Sequence, residues 1–376
     1  MRKIPLLVPT LPSSGELRPY LERIDAARWY SNFGPLAIEL EGELLRRLRA
    51  GLETPLYLST VSNCTVGLEL SLQALSLKPG ARILVPGLTF VATATAVARA
   101  GCEPVLCDVD PSSWLLTPEI ARRAIAEVPL DAIMPVSTYG CAHDAHAWDA
   151  FAGATGLPVV LDAAGAFGNQ RAGGRIALVF SLHATKVLSS AEGGIVASAD
   201  ADFVARVKRL SNFGIGAPGG FVEQPGTNAK LSEYHAAVAL AMLLRWEEHA
   251  KRRIALHRSY LRALAESCPA VALQRRPADG LYSIMPVLLP AGTSASAVGQ
   301  ALGEQGIETR RWYCPTLEHH PAFAKAQIAG PLDMVRTLGE RLLALPFHLH
   351  LDDGDVTHAC ERLRAALGRS STITKY

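Results

Sequence analysis

Two side chains in this sequence have the types and the placement to work together. Lys186 closes the run Ser181-Leu-His-Ala-Thr-Lys186, and Glu192-Gly-Gly194 follows shortly after it. Asp162 comes directly after the apolar run Leu157-Pro-Val-Val-Leu161. A lysine and an acid, each delivered by a short apolar run in a chain that alternates β and α, are the two groups pyridoxal phosphate requires. The amine forms a Schiff base, and the carboxylate keeps the pyridine nitrogen protonated so that the ring acts as an electron sink. Alone, Asp162 would read as a surface or capping acid, and Lys186 as a solvated lysine. Their joint placement, with the small residues Ala163-Ala-Gly-Ala166 after the acid, reverses that reading.

The elements that must position them read as repeated βα units. Helices are expected over Thr65–Leu77, Phe90–Ala100, Pro118–Glu127 and His143–Thr155, broken by Lys78-Pro-Gly80, Gly101 and Gly156. Between them, Arg82–Val85, Pro104–Cys107, Ala132–Val136, Val159–Leu161 and Leu178–Phe180 read as strands. The fold class is α/β: a mostly parallel central sheet with helices on both faces, plus a smaller α+β C-terminal domain. In such a sheet ligands bind beyond the carboxyl ends of the strands, which brings Asp162 and Lys186 to one rim. Leu231 to about Ser267, free of proline and glycine, reads as one long helical stretch leading out of the large domain. We place the large domain, with its N-terminal arm, at residues 1–245 and the small one at 246–376. In the latter, strands are expected over Leu281–Leu289 and Ile307–Trp312, with helices over Ser294–Gln305 and from Asp353 or Asp355 onward. Ser370–Tyr376 reads as a polar, mobile tail.

Composition narrows the function. The chain has 376 residues, 49% hydrophobic and 19% charged, with a net charge of +2 and no basic block, which argues against nucleic acid or anionic membrane as main partner. No run reaches the ~18 apolar residues of a membrane span, and Pro5-Leu-Leu-Val-Pro9 is too short for a signal peptide. Seven scattered cysteines without a CxxC point to free thiols in a reducing cytoplasm.

Cofactor phosphate needs backbone donors at a helix N-terminus, and Ser62-Asn-Cys-Thr65 stands at one; a simple N-cap uses the same residues. Phe90 could cover the pyridine ring or belong to the core. Ser181 could add a phosphate hydrogen bond. The order of these pieces resembles the sugar-nucleotide aminotransferases of the DegT/DnrJ/EryC1/StrS group, a fold-type I pyridoxal phosphate family. The matching segments are Ser31-Asn-Phe-Gly-Pro35, Ser62–Thr65, Thr89-Phe-Val-Ala-Thr93, Tyr139-Gly140, Asp162-Ala-Ala164, Ser181–Lys186, Glu192–Gly194, Asn228-Ala-Lys-Leu-Ser-Glu233 and Leu345-Pro346, in family order over nearly the whole chain. The lysine motif with its Glu-Gly-Gly turn is the specific one.

The resemblance implies roles. Lys186 would carry the cofactor and shuttle a proton, and Asp162 would pair with the pyridine nitrogen. Phe90 would stack on the ring. The Cys64 and Thr65 backbone, the Thr65 hydroxyl and Ser181 would hold phosphate. Asn228 would reach the phosphate of a neighbouring subunit, which implies a homodimer with shared sites. Gly165 stands where many relatives carry Gln or His, and Cys64 where glycine is commoner; Cys64 would be strained if its φ were positive. His-Ala-Thr-Lys resembles members acting on 4-keto sugars, so the implied substrate is a nucleotide-linked 4-keto-6-deoxyhexose aminated at C4. Glutamate would be the amino donor, leaving pyridoxamine phosphate between half-reactions. By family position His319 lines the sugar site, with a plain surface role as the alternative. Arg310 and Arg311 could meet the donor carboxylate or the diphosphate, or be ordinary strand-edge arginines. Competing readings are a 3-keto sugar aminotransferase, a catalytically silent cofactor-binding regulator, and a related sugar dehydratase, which Lys186 disfavours. Gly214-Ile-Gly-Ala-Pro-Gly219 follows no strand and reads as a mobile loop rather than a dinucleotide site. His348-Leu-His350 lacks a closed ligand set, so no metal is expected.

Overall fold

Strands buried on both faces organise the molecule. The computed structural model describes residues 3–216 and 220–373. Its strands are β1 (Tyr57–Val61), β2 (Arg82–Pro86), β3 (Glu103–Cys107), β4 (Ala132–Ile133), β5 (Val159–Asp162), β6 (Ile176–Ser181), β7 (Gly194–Ser198), β8 (Ala272–Leu273), β9 (Met285–Leu288), β10 (Gln327–Ala329) and β11 (Leu342–Leu345). Eight of them form one sheet in the order β1-β7-β6-β5-β4-β2-β3-β10. From β6 to β10 every pairing is parallel, whereas β7 runs antiparallel to both β6 and β1.

Strand side chains alternate between two apolar layers, as the period of two requires. Leu84, Leu161, Leu178 and Phe180 point into one core with Trp148 and Phe151 of the helix Ala145–Thr155. Ile83, Val85, Val160 and Val179 point into the other, against Leu68 and Leu72 of the helix Cys64–Ala74 and Val97 of Ala92–Arg99. Near-continuous apolar runs are what a sheet covered on both sides needs.

A second sheet, β11-β9-β8, is antiparallel. It shares a core with Tyr260 and Leu264 of Trp246–Ser267, Val298 and Leu302 of Ala295–Gly303, and Val356 and Leu363 of Asp353–Ile373. The N-terminal arm joins this core through Ile4, whose amide donates to Gly306 O at 2.8 Å, while the Phe347 amide donates to Leu6 O at 3.0 Å. The C-terminal β10 lies on the large sheet beside β3.

Four expectations are corrected. The stretch 231–267 is two helices, Glu233–Leu244 and Trp246–Ser267, with a break at Arg245. The Trp246 indole packs edge-on against Phe167 at 5.4 Å, so it stays with the first core while the chain turns away. Ile307–Trp312 is not a strand; it makes isolated bridges at Ile307 with Ile4 and at Arg310 with Ala344. Ala132–Val136 is shortened to Ala132–Ile133, because Pro135 has no amide for the ladder, and Val136 contributes a lone bridge to Asp162. The final helix runs on through Ser370 to Ile373, a packed helix being cheap to propagate; residues 374–376 lie outside the described residues. So do 217–219 of the glycine-rich segment, whose described part holds a bridge between Ile215 and Val222. All seven cysteines are free thiols, and no described helix is long and apolar enough to cross a membrane.

Candidate active site

The strand order reverses between β2 and β4, and a crevice opens at the carboxyl ends of the strands on either side. Thr89 and Phe90 follow β2, Val136 and Ser137 follow β4, Asp162 ends β5 and Ser181 ends β6; all of them line one cavity of about 700 Å³. The antiparallel β7 starts where β6 stops, with Gly194 paired to Ser181 and also to Val61 of β1. That register brings the N-terminus of Cys64–Ala74 to the same rim. A Cβ on Gly194 would sit 2.8 Å from the Asn63 carbonyl carbon and 2.9 Å from the Cys64 nitrogen, so only glycine permits this approach.

Asp162 is 4% exposed. Its Oδ2 accepts the Thr93 hydroxyl at 2.8 Å, and its Oδ1 accepts the Ala164 amide at 3.0 Å. Thr93 in turn meets the Thr89 hydroxyl at 2.9 Å. Burial pushes the Asp162 carboxyl up; the two hydrogen bonds and the Lys186 charge pull it back. Burial also pushes the Lys186 amine down, against the influence of Cys64 and Asp162. The Cys64 thiol is held well above its ordinary range by burial, so it is a neutral group here.

Lys186 sits on a loop tied to its own return path. The Lys186 amide donates to His183 O at 2.9 Å, Ala184 N to Ala191 O at 2.8 Å, and Leu182 N to Gly193 O at 2.9 Å. Asn63 caps the helix through its Oδ1, which accepts the Val66 amide at 2.9 Å. The capping role therefore belongs to Asn63, while the first-turn amides of Cys64 and Thr65 have no acceptor within the helix. Cys64 lies inside that helix and is not among the positive-φ residues, so it carries no strain. Gly165 backs onto Gly140, whose nitrogen would lie 3.2 Å from a Cβ at 165.

The structure gathers Lys186, Asp162, Cys64, Thr65, Phe90 and Ser181 around this cavity. Phe90 is 52% exposed on its wall rather than in the core, with the Tyr313 ring 5.9 Å away. It does not bring Asn228, His319 or Arg311 there. Asn228 is exposed, and its Oδ1 accepts from Lys230 at 2.8 Å. His319 meets the Thr316 hydroxyl at 3.0 Å. Arg311 turns to Ser296 and the Gly339 carbonyl, while its neighbour Arg310 lines the cavity and lies over the Trp312 ring at 4.4 Å. Sequence reasoning gave Thr93 no role, although it closes the matched segment Thr89-Phe-Val-Ala-Thr93. It also missed Tyr313, which stacks on Tyr139 at 5.1 Å and arrives from a distant segment with no local mark.

A buried acid, a lysine with a depressed amine, uncapped helix amides and an exposed aromatic face on one cavity are the donor set that pyridoxal phosphate needs, and they fit it. The family model described as the DegT/DnrJ/EryC1/StrS aminotransferase family matches residues 13–364.

The chain belongs to the DegT/DnrJ/EryC1/StrS aminotransferase family.

It is thereby an aminotransferase of the pyridoxal phosphate-dependent kind. It is similar to protein Rv3402c of Mycobacterium tuberculosis, 30% identical over 97% of this chain and 90% of that one. It is also similar to the dTDP-4-amino-4,6-dideoxy-D-glucose transaminase of Escherichia coli, 29% identical over 94% of this chain and 95% of that one. Among solved structures, DesI in the presence of its TDP-sugar product is 30% identical, with a TM-score of 0.86 over 100% of this chain and 95% of DesI. S. venezuelae DesV in complex with a ketimine intermediate is 26% identical, with a TM-score of 0.86 over 98% of this chain and 99% of DesV.

Proposed function

We propose that this aminotransferase moves an amino group from glutamate onto C4 of a nucleotide-linked 4-keto-6-deoxyhexose. The meeting of Asp162, Lys186 and the Cys64–Thr65 amides on one cavity carries the aminotransferase reading. The run His183-Ala-Thr-Lys186 supports a 4-keto sugar, as do the names of the E. coli and DesI relatives.

When bound, pyridoxal phosphate supplies the electron sink that lets an amino group pass between two carbons. The chain's own residues do the rest. Asp162 holds a proton at the pyridine nitrogen, and its two hydrogen bonds fix the carboxylate. Lys186, whose amine burial makes easier to deprotonate, takes a proton from the donor carbon and returns one to the sugar carbon. The Cys64 and Thr65 amides with Ser181 hold phosphate at the helix N-terminus. Arg310 takes an anionic group of donor or acceptor. The exposed Asn228, outside its own chain's cavity, supports a homodimer in which it reaches the partner's phosphate site. Asn228→Ala should then weaken cofactor binding about tenfold.

The test is a panel of keto sugar nucleotides incubated with glutamate and the holoenzyme, with the new amine located by NMR. Amine at C4 supports the proposal. Amine at C3 overturns the position while keeping the reaction, and failure to consume glutamate overturns both.

A further inference from the structure

Two residues on the cavity wall take no part in the cofactor contacts proposed above. His183 and Glu192 come from the two sides of the Lys186 loop, and both line the cavity. Their side chains are 46% and 54% exposed, with His183 Nε2 3.6 Å from Glu192 Oε1. A pair this open contributes little to folding, yet its backbone is tightly placed. The ladder from Leu182 to Gly193 spans both residues, and Ser190 Oγ donates to the Glu192 carbonyl at 2.7 Å.

The hydrogen bonds assign the imidazole tautomer. The Thr185 amide donates to His183 Nδ1 at 3.3 Å, and the Thr185 hydroxyl lies 2.9 Å from the same nitrogen. With Nδ1 accepting, the proton of the neutral ring sits on Nε2, the nitrogen facing Glu192. His183 thereby turns an N–H towards one carboxylate oxygen, 3.6 Å away and just beyond direct hydrogen-bond reach. The other, Oε2, has no protein partner among the described residues.

A carboxylate is an acceptor only, so it binds donors. Phosphates and the carboxylates of an amino acid are anions, and Glu192 repels them; Arg310 is the cavity-lining group suited to those. Glu192 suits a donor, and the hydroxyls of a hexose are the donors the acceptor carries. We propose that Glu192, with the His183 imidazole beside it, reads a ring hydroxyl of the sugar and so selects a hydroxylated acceptor. This inference rests on the sugar-nucleotide reading above.

The experiment uses the holoenzyme, dTDP-4-keto-6-deoxyglucose and its 2-deoxy and 3-deoxy analogues, with the glutamate half-reaction followed separately. Glu192→Gln should raise KM for the sugar at least tenfold and change the glutamate half-reaction less than threefold, since a hydrogen bond to a charged group is lost only with the sugar. Wild type should lose at least tenfold in kcat/KM on one deoxy analogue, and Glu192→Gln less than threefold on the same compound. His183→Asn should blur the same discrimination, because it removes the N–H that faces the carboxylate. Equal discrimination in wild type and Glu192→Gln overturns the proposal, as does an equal loss in both half-reactions. A wild type that consumes glutamate but aminates none of the sugars overturns the sugar reading, and this inference with it.

Discussion

Thr93 Oγ1 donates a 2.8 Å hydrogen bond to Asp162 Oδ2, while the Ala164 amide holds the other oxygen of the same carboxylate. The acid is thus fixed at both ends inside a buried site, where an unheld carboxyl would drift towards its neutral form. Thr93→Val removes one of the two hydrogen bonds and lets the Asp162 pKa rise further. A hydrogen bond to a charged group contributes about 1.5–3 kcal/mol, so cofactor affinity should fall about tenfold to a hundredfold. Titration of the apoprotein with pyridoxal phosphate, followed by absorbance, measures this. Unchanged affinity would separate Thr93 from the function of Asp162.

Lys186→Ala should leave the fold intact and abolish the glutamate half-reaction, with a rate loss of roughly a thousandfold or more for removing nucleophile and proton carrier together. In the wild-type apoprotein, capture of pyridoxal phosphate needs the neutral amine. Burial lowers its pKa from the ordinary 10.5, so the capture rate should rise with pH and level off below pH 10.5. A plateau only above that value would contradict the burial of this amine.

Gly194→Ala places a methyl group 2.8 Å from the Asn63 carbonyl carbon. Such overpacking costs about 1–3 kcal/mol, and it pushes the amides of Cys64 and Thr65 away from the rim. Both the Tm and the affinity for pyridoxal phosphate should drop. A fall in Tm alone would show that the helix N-terminus is not the phosphate site.

His143 is buried between the Val136 carbonyl, 2.9 Å from Nε2, and the Trp148 indole, which donates to Nδ1 at 3.1 Å. Burial lowers its pKa from 6.5 to about 4. The unfolded chain therefore takes up a proton below 6.5 that the folded chain refuses until about 4. The stabilisation is complete above pH 6.5 and is lost as pH falls towards 4, by roughly 3 kcal/mol in all. Urea unfolding between pH 7 and 4 should show this slope, and His143→Gln should flatten it.

Much of this was legible in the sequence because the large sheet is covered on both faces. Runs such as Ile83-Leu-Val85 and Val159-Val-Leu161 are apolar throughout and are bordered by Pro86 and Pro158, so their strands and the acid after the second could be read directly. What could not be read depended on distant partners. β1 holds Ser59 and Thr60 and is made a strand by pairing with β7. No proline or glycine marks the break at Arg245; the seat of Trp246 against Phe167 makes it. In the site, Arg310 and Arg311 look alike in sequence, and only the packing of Arg311 towards Ser296 and Gly339 separates them. Tyr313 reaches Tyr139 from a segment far along the chain, which no local pattern announces.

The pairing of β10 with β3 bears on how the protein can be cut. Gln327–Ala329 occupies the outer rail of the large sheet. A fragment ending after Leu244 would lose that cover and present the backbone of Glu103–Cys107 as an open edge, with Val105 and Leu106 behind it. Bare, flat edges recruit other chains. The first two-thirds of this polypeptide, expressed alone, would therefore stick to copies of itself, and soluble material requires the strap that returns from the other end.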